Sequence, residues 1–121
     1  MTVDPTPSDV ERFLDREPNE PVVMLNLLRF GEHGREAYLR YAEAVTPLVE
    51  ELGGRVVYAG DVTAPLVESE GQAWDAMILV SYPSRSALIQ MVQSSEYQAV
   101  AHLRRDALTS TLLAPVTPWQ R

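Results

Sequence analysis

Six side chains in this 121-residue chain combine a chemical type with a position where that chemistry could be used: Arg104, Asn26, Tyr58, Tyr82, Tyr97 and Trp74. Arg104 comes first. At about 100° per residue, Tyr97, Val100, Ala101, Ala107 and Leu108 share one side of the segment Ser95–Leu108, and Arg104 falls among them. A permanent cation aimed at a core needs a partner. As a functional group it would hold a substrate carboxylate or an enolate oxygen with its fork of donors. As a structural group it would pair with Glu43, Asp75 or a backbone carbonyl.

Asn26 is the one polar residue in the apolar centre of Val22–Arg29. Its amide must be satisfied there, either by orienting a ligand carbonyl or by bonding backbone at a bulge or a neighbouring strand. Tyr58, Tyr82 and Tyr97 can line a pocket and offer a hydroxyl as donor or weak acid. To act as a base at neutral pH, a tyrosine with an ordinary pKa near 10 needs a cation such as Arg104 beside it. Their plainer use is to fill a small core. Trp74 closes the set as a ligand-lining candidate, against the alternative of a sheet-end anchor, and Trp119 reads as a tail contact.

Other chemistry finds little support. With no cysteine there are no disulfides, thiolate metal sites or cysteine nucleophiles. His33 and His102 lie in different predicted elements without ligand spacing, so neither a protein-bound metal nor a tightly bound cofactor is expected. His102 reads as a solvated surface residue, and His33 does too unless its glycine loop closes over a ligand. Glu43, Glu50, Glu51, Glu68 and Glu70 occupy polar faces or turns, and no pair is placed for acid–base work. No G-x-S-x-G motif supports a serine nucleophile. All ten basic residues are Arg and the net charge is −7; without a basic stripe, nucleic acid is not an expected partner. The longest uncharged apolar run, Pro21–Leu28, is too short to span a bilayer. Residues 1–7 lack the basic and apolar regions of a secretory signal, so a cytoplasmic location is expected.

These candidates must be held by a small number of elements. Asp9–Arg16, with Val10, Phe13 and Leu14 on one face and a Ser8/Glu11 capping box, predicts a short helix bounded by Pro7 and Pro18. Val22–Arg29 reads as a strand buried on both faces. Tyr38, Tyr41, Ala42, Val45, Leu48, Val49 and Leu52 repeat at helical spacing across Arg35–Leu52, ended by Gly53-Gly54 as a left-handed cap. Arg55–Val62 and Trp74–Tyr82 form a long hairpin. Ser84 caps a helix over Arg85–Val92, a second runs from Ser95 to Leu108, and Ser110–Val116 is a last strand. The order βαββαβ predicts an α+β fold with a four-stranded antiparallel sheet and its helices on one face. Residues 1–20 are an N-terminal extension carrying the short extra helix, and 21–121 are one domain.

That sheet has an uncovered face. Met77, Ile78, Leu79 and Val80, like Met24, Leu25, Leu27 and Leu28, place apolar residues on both sides. One helix layer covers only one side, so a homodimer through facing sheets is expected. The alternative, the N-terminal helix lying over that face, would ask eight residues to cover four strands.

Several segments also resemble a known family. Val23–Phe30, the helix–Gly53-Gly54–Arg55-Val56-Val57-Tyr58 unit, Trp74-Asp75, Tyr82-Pro83-Ser84, and Ser95-Glu96-Tyr97 followed by Arg104 are similar to the domain of unknown function 1330 family, from about Pro21 to Val116. The resemblance implies a ferredoxin-like dimeric α/β barrel, a fold shared with cofactor-free monooxygenases, muconolactone isomerases, polyketide cyclases and haem-binding enzymes. It implies no activity, though Arg104 matches the arginine in the family's last helix.

Three readings follow. The chain is an isomerase, cyclase or monooxygenase acting on a small carbonyl- or carboxylate-bearing compound, with Arg104, Asn26 and Tyr58 as catalytic groups and Tyr82, Tyr97 and Trp74 lining the ligand. Alternatively it is a non-catalytic dimer that binds a metabolite or a protein. In the third, Arg104 only closes an internal ion pair.

Overall fold

A computed structural model describes residues 3–71 and 73–119. The run read as a doubly buried strand is an interior one: β1 (Val22–Phe30) lies between β3 (Ala76–Tyr82) and β4 (Leu108–Val116), and β2 (Arg55–Asp61) pairs with the other side of β3. All pairings are antiparallel, in the order β2-β3-β1-β4. This is the expected ferredoxin-like α+β arrangement.

Register divides the strand residues between two faces. Val22 pairs with Tyr82, Met24 with Val80 and Asn26 with Ile78, and across the other edge Asn26 meets Leu113. Successive residues alternate sides, so these face the helices, where Val22, Met24, Leu28, Val80 and Tyr82 are buried. Leu25 pairs with Leu79 and Ala114, and Leu27 with Met77 and Leu112, on the opposite face.

The helix layer begins with α2 (Gly34–Glu51), whose buried residues Tyr38, Tyr41 and Val49 follow the expected apolar stripe. Its start packs so tightly that a Cβ on Gly34 would lie 2.2 Å from the Ala107 carbonyl oxygen. Its end is the predicted left-handed glycine, Gly53 at φ +94°. After β3 come α3 (Arg85–Gln93), α4 (Ser95–Gln98) and α5 (Ala101–Ala107). The single helix predicted over Ser95–Leu108 is thus divided. The Val100 N–H bonds to the Tyr97 carbonyl and the Leu103 N–H to that of Val100, each at 3.0 Å. These three-residue closures tighten the chain between α4 and α5. The face survives the break, because Tyr97, Ala101, Arg104 and Ala107 are all buried. The third strand starts at Ala76 instead of Trp74, and the last starts two residues early, at Leu108.

The N-terminal helix, α1, spans Pro7–Leu14. Thr6, not Ser8, caps it: the Thr6 hydroxyl accepts from the Asp9 N–H at 3.1 Å and the Asp9 carboxylate accepts from the Thr6 N–H at 2.8 Å. Placing Pro7 at the first helical position, where its missing N–H costs nothing, selects the residue before it as the cap. α1 packs against α3. The Arg85 guanidinium donates to the Phe13 carbonyl at 3.0 Å and lies 4.7 Å from that ring's centre, and the Ser86 N–H donates to the Pro18 carbonyl at 2.9 Å. The N-terminal segment therefore straps the helix side of the molecule and leaves the outer sheet face open.

Candidate functional site

Between the inner sheet face and the helices lies a cavity of about 450 Å³. β1 contributes Met24 and Asn26, β3 contributes Ile78, Val80 and Tyr82, α2 contributes Tyr38, Tyr41 and Val45, α4 contributes Tyr97, and α5 contributes Arg104 and Arg105. Asp4, Pro5, Asp9, Val10 and Phe13 of the N-terminal segment complete the wall. The size suits a small molecule.

Arg104 is only 4% exposed. Its Nη1 donates to the Val3 carbonyl at 2.6 Å and stands 3.5 Å from the Asp4 carboxylate. The pairing predicted with a backbone carbonyl is found, on a residue 101 positions away; Glu43 is exposed and Asp75 instead accepts from the Phe30 N–H at 2.8 Å. Nη2 is buried with no hydrogen-bond partner among the described residues. Leaving a charged donor unsatisfied is costly, so this atom is the strongest sign that the cavity takes an acceptor.

Four phenols surround it. The hydroxyls of Tyr41 and Tyr97 are 2.9 Å apart, and their rings meet edge to face with centroids 6.1 Å apart. Burial pushes the Tyr38 hydroxyl up to about 12 and those of Tyr41 and Tyr82 well above the ordinary value, against an opposing pull from the Arg104 charge. Desolvation outweighs the cation. At neutral pH these three tyrosines are protonated hydrogen-bond donors, and the idea that Arg104 would turn such a tyrosine into a base does not hold for them.

Asn26 sits on the cavity floor, its Nδ2 donating to the carbonyls of Ile78 at 3.4 Å and Met24 at 3.5 Å. Such long bonds are weak, and the amide's oxygen is the acceptor it can offer a ligand. Asp9 also lines the cavity, but the Thr6 N–H and hydroxyl, with Arg12 adding to them, hold its carboxyl below the ordinary value. It is an occupied helix cap and a poor base.

The structure brings together Arg104, Asn26, Tyr82 and Tyr97, and separates Tyr58 and Trp74 from them. A β-bulge shifts the register between Val56 and Tyr58, so Val56 pairs with Val80 on the inner face while Tyr58 pairs with Leu79 on the outer. Tyr58 is 60% exposed there, and the strict alternation that would have turned it inward is broken by one extra residue. Trp74 precedes β3, with the Arg29 guanidinium 4.9 Å from its ring centre and donating to the Ala73 carbonyl at 2.9 Å; it anchors the sheet end. Tyr38 and Tyr41 were read only as the apolar stripe of a helix. Their signal was two phenols three residues apart on the stripe that faces Arg104. His33 and His102 are exposed, and no group of three or more His, Cys, Asp or Glu among the described residues could hold a metal ion. No helix among those residues is long and apolar enough to cross a membrane.

Comparison with known proteins agrees with this architecture. The sequence pattern of a family described as Domain of unknown function (DUF1330) matches residues 29–115. No curated protein matches the chain in sequence. A protein of unknown function from Rhodopseudomonas palustris is 28% identical, with a TM-score of 0.86 over 99% of this chain and 98% of its own. The hydroxynitrile lyase of Passiflora edulis is 12% identical, with a TM-score of 0.65 over 86% of this chain and 100% of its own. A dimeric protein of unknown function with a ferredoxin-like fold from Bacteroides fragilis is 12% identical, with a TM-score of 0.57 over 79% and 94%. The last two likenesses speak for the fold alone.

Proposed function

The chain belongs to the Domain of unknown function (DUF1330) family, and from that premise we propose that its cleft binds a small, largely apolar compound through one carboxylate, enolate or carbonyl oxygen held by Arg104. The observation that carries this reading is that Nη2 of Arg104 is buried without a hydrogen-bond partner among the described residues, on a side chain that helps line a cavity shared with four tyrosines. In the proposal the phenols add donors around the same oxygen, Asn26 orients a second polar group, and Met24, Val45 and Ile78 receive the apolar body.

Such a site favours reactions in which negative charge develops on oxygen, because fixed donors in a largely apolar cavity stabilise that charge without reorganising. Isomerisation and cyclisation of carbonyl compounds belong to this class. Proton abstraction by Tyr38, Tyr41 or Tyr82 does not fit, since burial keeps them protonated. A second reading, binding without turnover, is favoured by Asp9: the carboxylate on the cavity wall is already committed to capping α1.

The proposal includes a homodimer built through the outer sheet faces, with residues 21–121 as the folding unit and 1–20 as an extension over its cleft. Its support is that Leu25, Leu27, Met77, Leu79, Leu112 and Tyr58 share a face that α1 does not cover. The dimeric Bacteroides fragilis neighbour is consistent with it.

The test is thermal unfolding of the wild type and Arg104→Met with benzoate, phenylacetate, hexanoate and acetophenone. A ligand at 100 times its Kd adds about 2.7 kcal/mol. Stabilisation of the wild type by one of these classes, absent in Arg104→Met, supports the site. Equal stabilisation of both proteins, or of neither, removes Arg104 from ligand binding.

A further inference from the structure

We propose that Asp4 sets the charge of the ligand, so that the cleft accepts a head group carrying one negative charge and discriminates against one carrying two. This rests on the reading of the cleft as an anion site. The N-terminal strap brings the Asp4 carboxylate to 3.5 Å from Arg104 Nη1 and 3.4 Å from Arg105 Nη1, and all three residues line the same cavity. Two guanidinium groups share one carboxylate, a surplus of one positive charge among these described side chains. The other carboxylate on this wall, Asp9, is paired with Arg12.

A ligand with a single negative charge neutralises that surplus. One with two leaves an uncompensated negative charge against a largely apolar wall, facing the Asp4 carboxylate, and both desolvation and repulsion oppose it. Arg104 holds the Val3 carbonyl with Nη1 and keeps Nη2 for the ligand. In this account the strap is a determinant of specificity, because it supplies the charge that rejects dianions.

Three probes with one apolar body separate charge from shape: benzoate, planar with one charge; phenyl sulfate, tetrahedral with one charge; and phenyl phosphate, tetrahedral and close to two charges at pH 8. Calorimetric titration of the full chain, of Asp4→Asn and of Arg105→Gln reads the effect. Both side chains are partly exposed, 38% for Asp4 and 47% for Arg105, so neither variant endangers the fold. The wild type should bind both monoanions about tenfold more tightly than phenyl phosphate, and Asp4→Asn should reduce that gap to about threefold or less. Arg105→Gln should move the opposite way, weakening all three and phenyl phosphate most. If the wild type binds the monoanions but Asp4→Asn leaves their advantage unchanged, the role of Asp4 is overturned and the anion site stands. A wild-type preference for phenyl phosphate also overturns it. If none of the three binds the wild type, the anion-site reading falls and this inference with it.

Discussion

The hydroxyl of Tyr41, on the long helix α2, lies 2.9 Å from the hydroxyl of Tyr97, on the short helix α4. One of the two must donate and the other accept, so the pair has one proton left for a ligand. The contact also ties together two helices separated by two strands and a helix in the chain.

From this pairing, Tyr41→Phe and Tyr97→Phe should each destabilise the protein by about 1 kcal/mol, because each leaves a buried hydroxyl without its partner. The double variant should cost less than the two single costs added, since removing both partners leaves nothing unsatisfied. Urea unfolding measures all three; strictly additive costs would show that the hydroxyls do not depend on one another.

Alkaline pH should unfold the protein through its tyrosines. Burial holds the folded pKa of Tyr38 at about 12, above the ordinary value of 10.0, and those of Tyr41 and Tyr82 are raised as well. The folded state binds these protons more tightly than the unfolded one. The stability they contribute is therefore complete below pH about 10 and is lost as pH rises through about 12. Phenolate absorbance followed beside circular dichroism should show three tyrosines ionising only as the fold is lost. Complete ionisation of all five tyrosines with circular dichroism unchanged would contradict the burial argument.

Gly34→Ala should be among the most damaging single substitutions. The added Cβ would lie 2.2 Å from the Ala107 carbonyl oxygen and 3.0 Å from the Phe30 Cβ, and backbone cannot yield as a flexible side chain can. A loss of about 2 kcal/mol or more is expected in chemical denaturation. A loss below about 0.5 kcal/mol would mean that α2 shifts freely against α5.

The outer sheet face should carry the dimer. Leu25 is central on it, paired with Leu79 on one side and Ala114 on the other, so Leu25→Asp should give a folded monomer by light scattering at micromolar concentration. A charge buried in a symmetric interface meets its own copy and is penalised twice. A wild type that is already monomeric there would contradict the interface.

Much of the fold was legible because apolar patterning and topology agree. The run Val22–Arg29, the stripe from Tyr38 to Leu52 and the glycine pair after it each sit where periodicity put them. Arg104 was legible for the same reason: a cation on an apolar stripe stands out at helical spacing. Its partner was not, because Val3 and Asp4 reach it through tertiary folding of a segment 100 residues away, which no local pattern encodes. Tyr58 was misplaced by a bulge, an insertion of one residue that alternation alone does not reveal. The break between α4 and α5 carries no glycine or proline and so left no local mark. Tyr38 and Tyr41 look like core in sequence; only the convergence of α2, α4 and α5 makes their hydroxyls neighbours of a guanidinium.

Whether Arg104 Nη2 binds an oxygen of the ligand is read by calorimetric titration of benzoate into the wild type, Arg104→Met and Tyr97→Phe at pH 7. Saturable binding to the wild type is expected, with a loss of about 100-fold or more in Arg104→Met, as when a buried charged hydrogen bond is removed, and a smaller loss in Tyr97→Phe. Undiminished affinity in Arg104→Met, with its fold intact, would leave Arg104 as the anchor of the N-terminal strap alone.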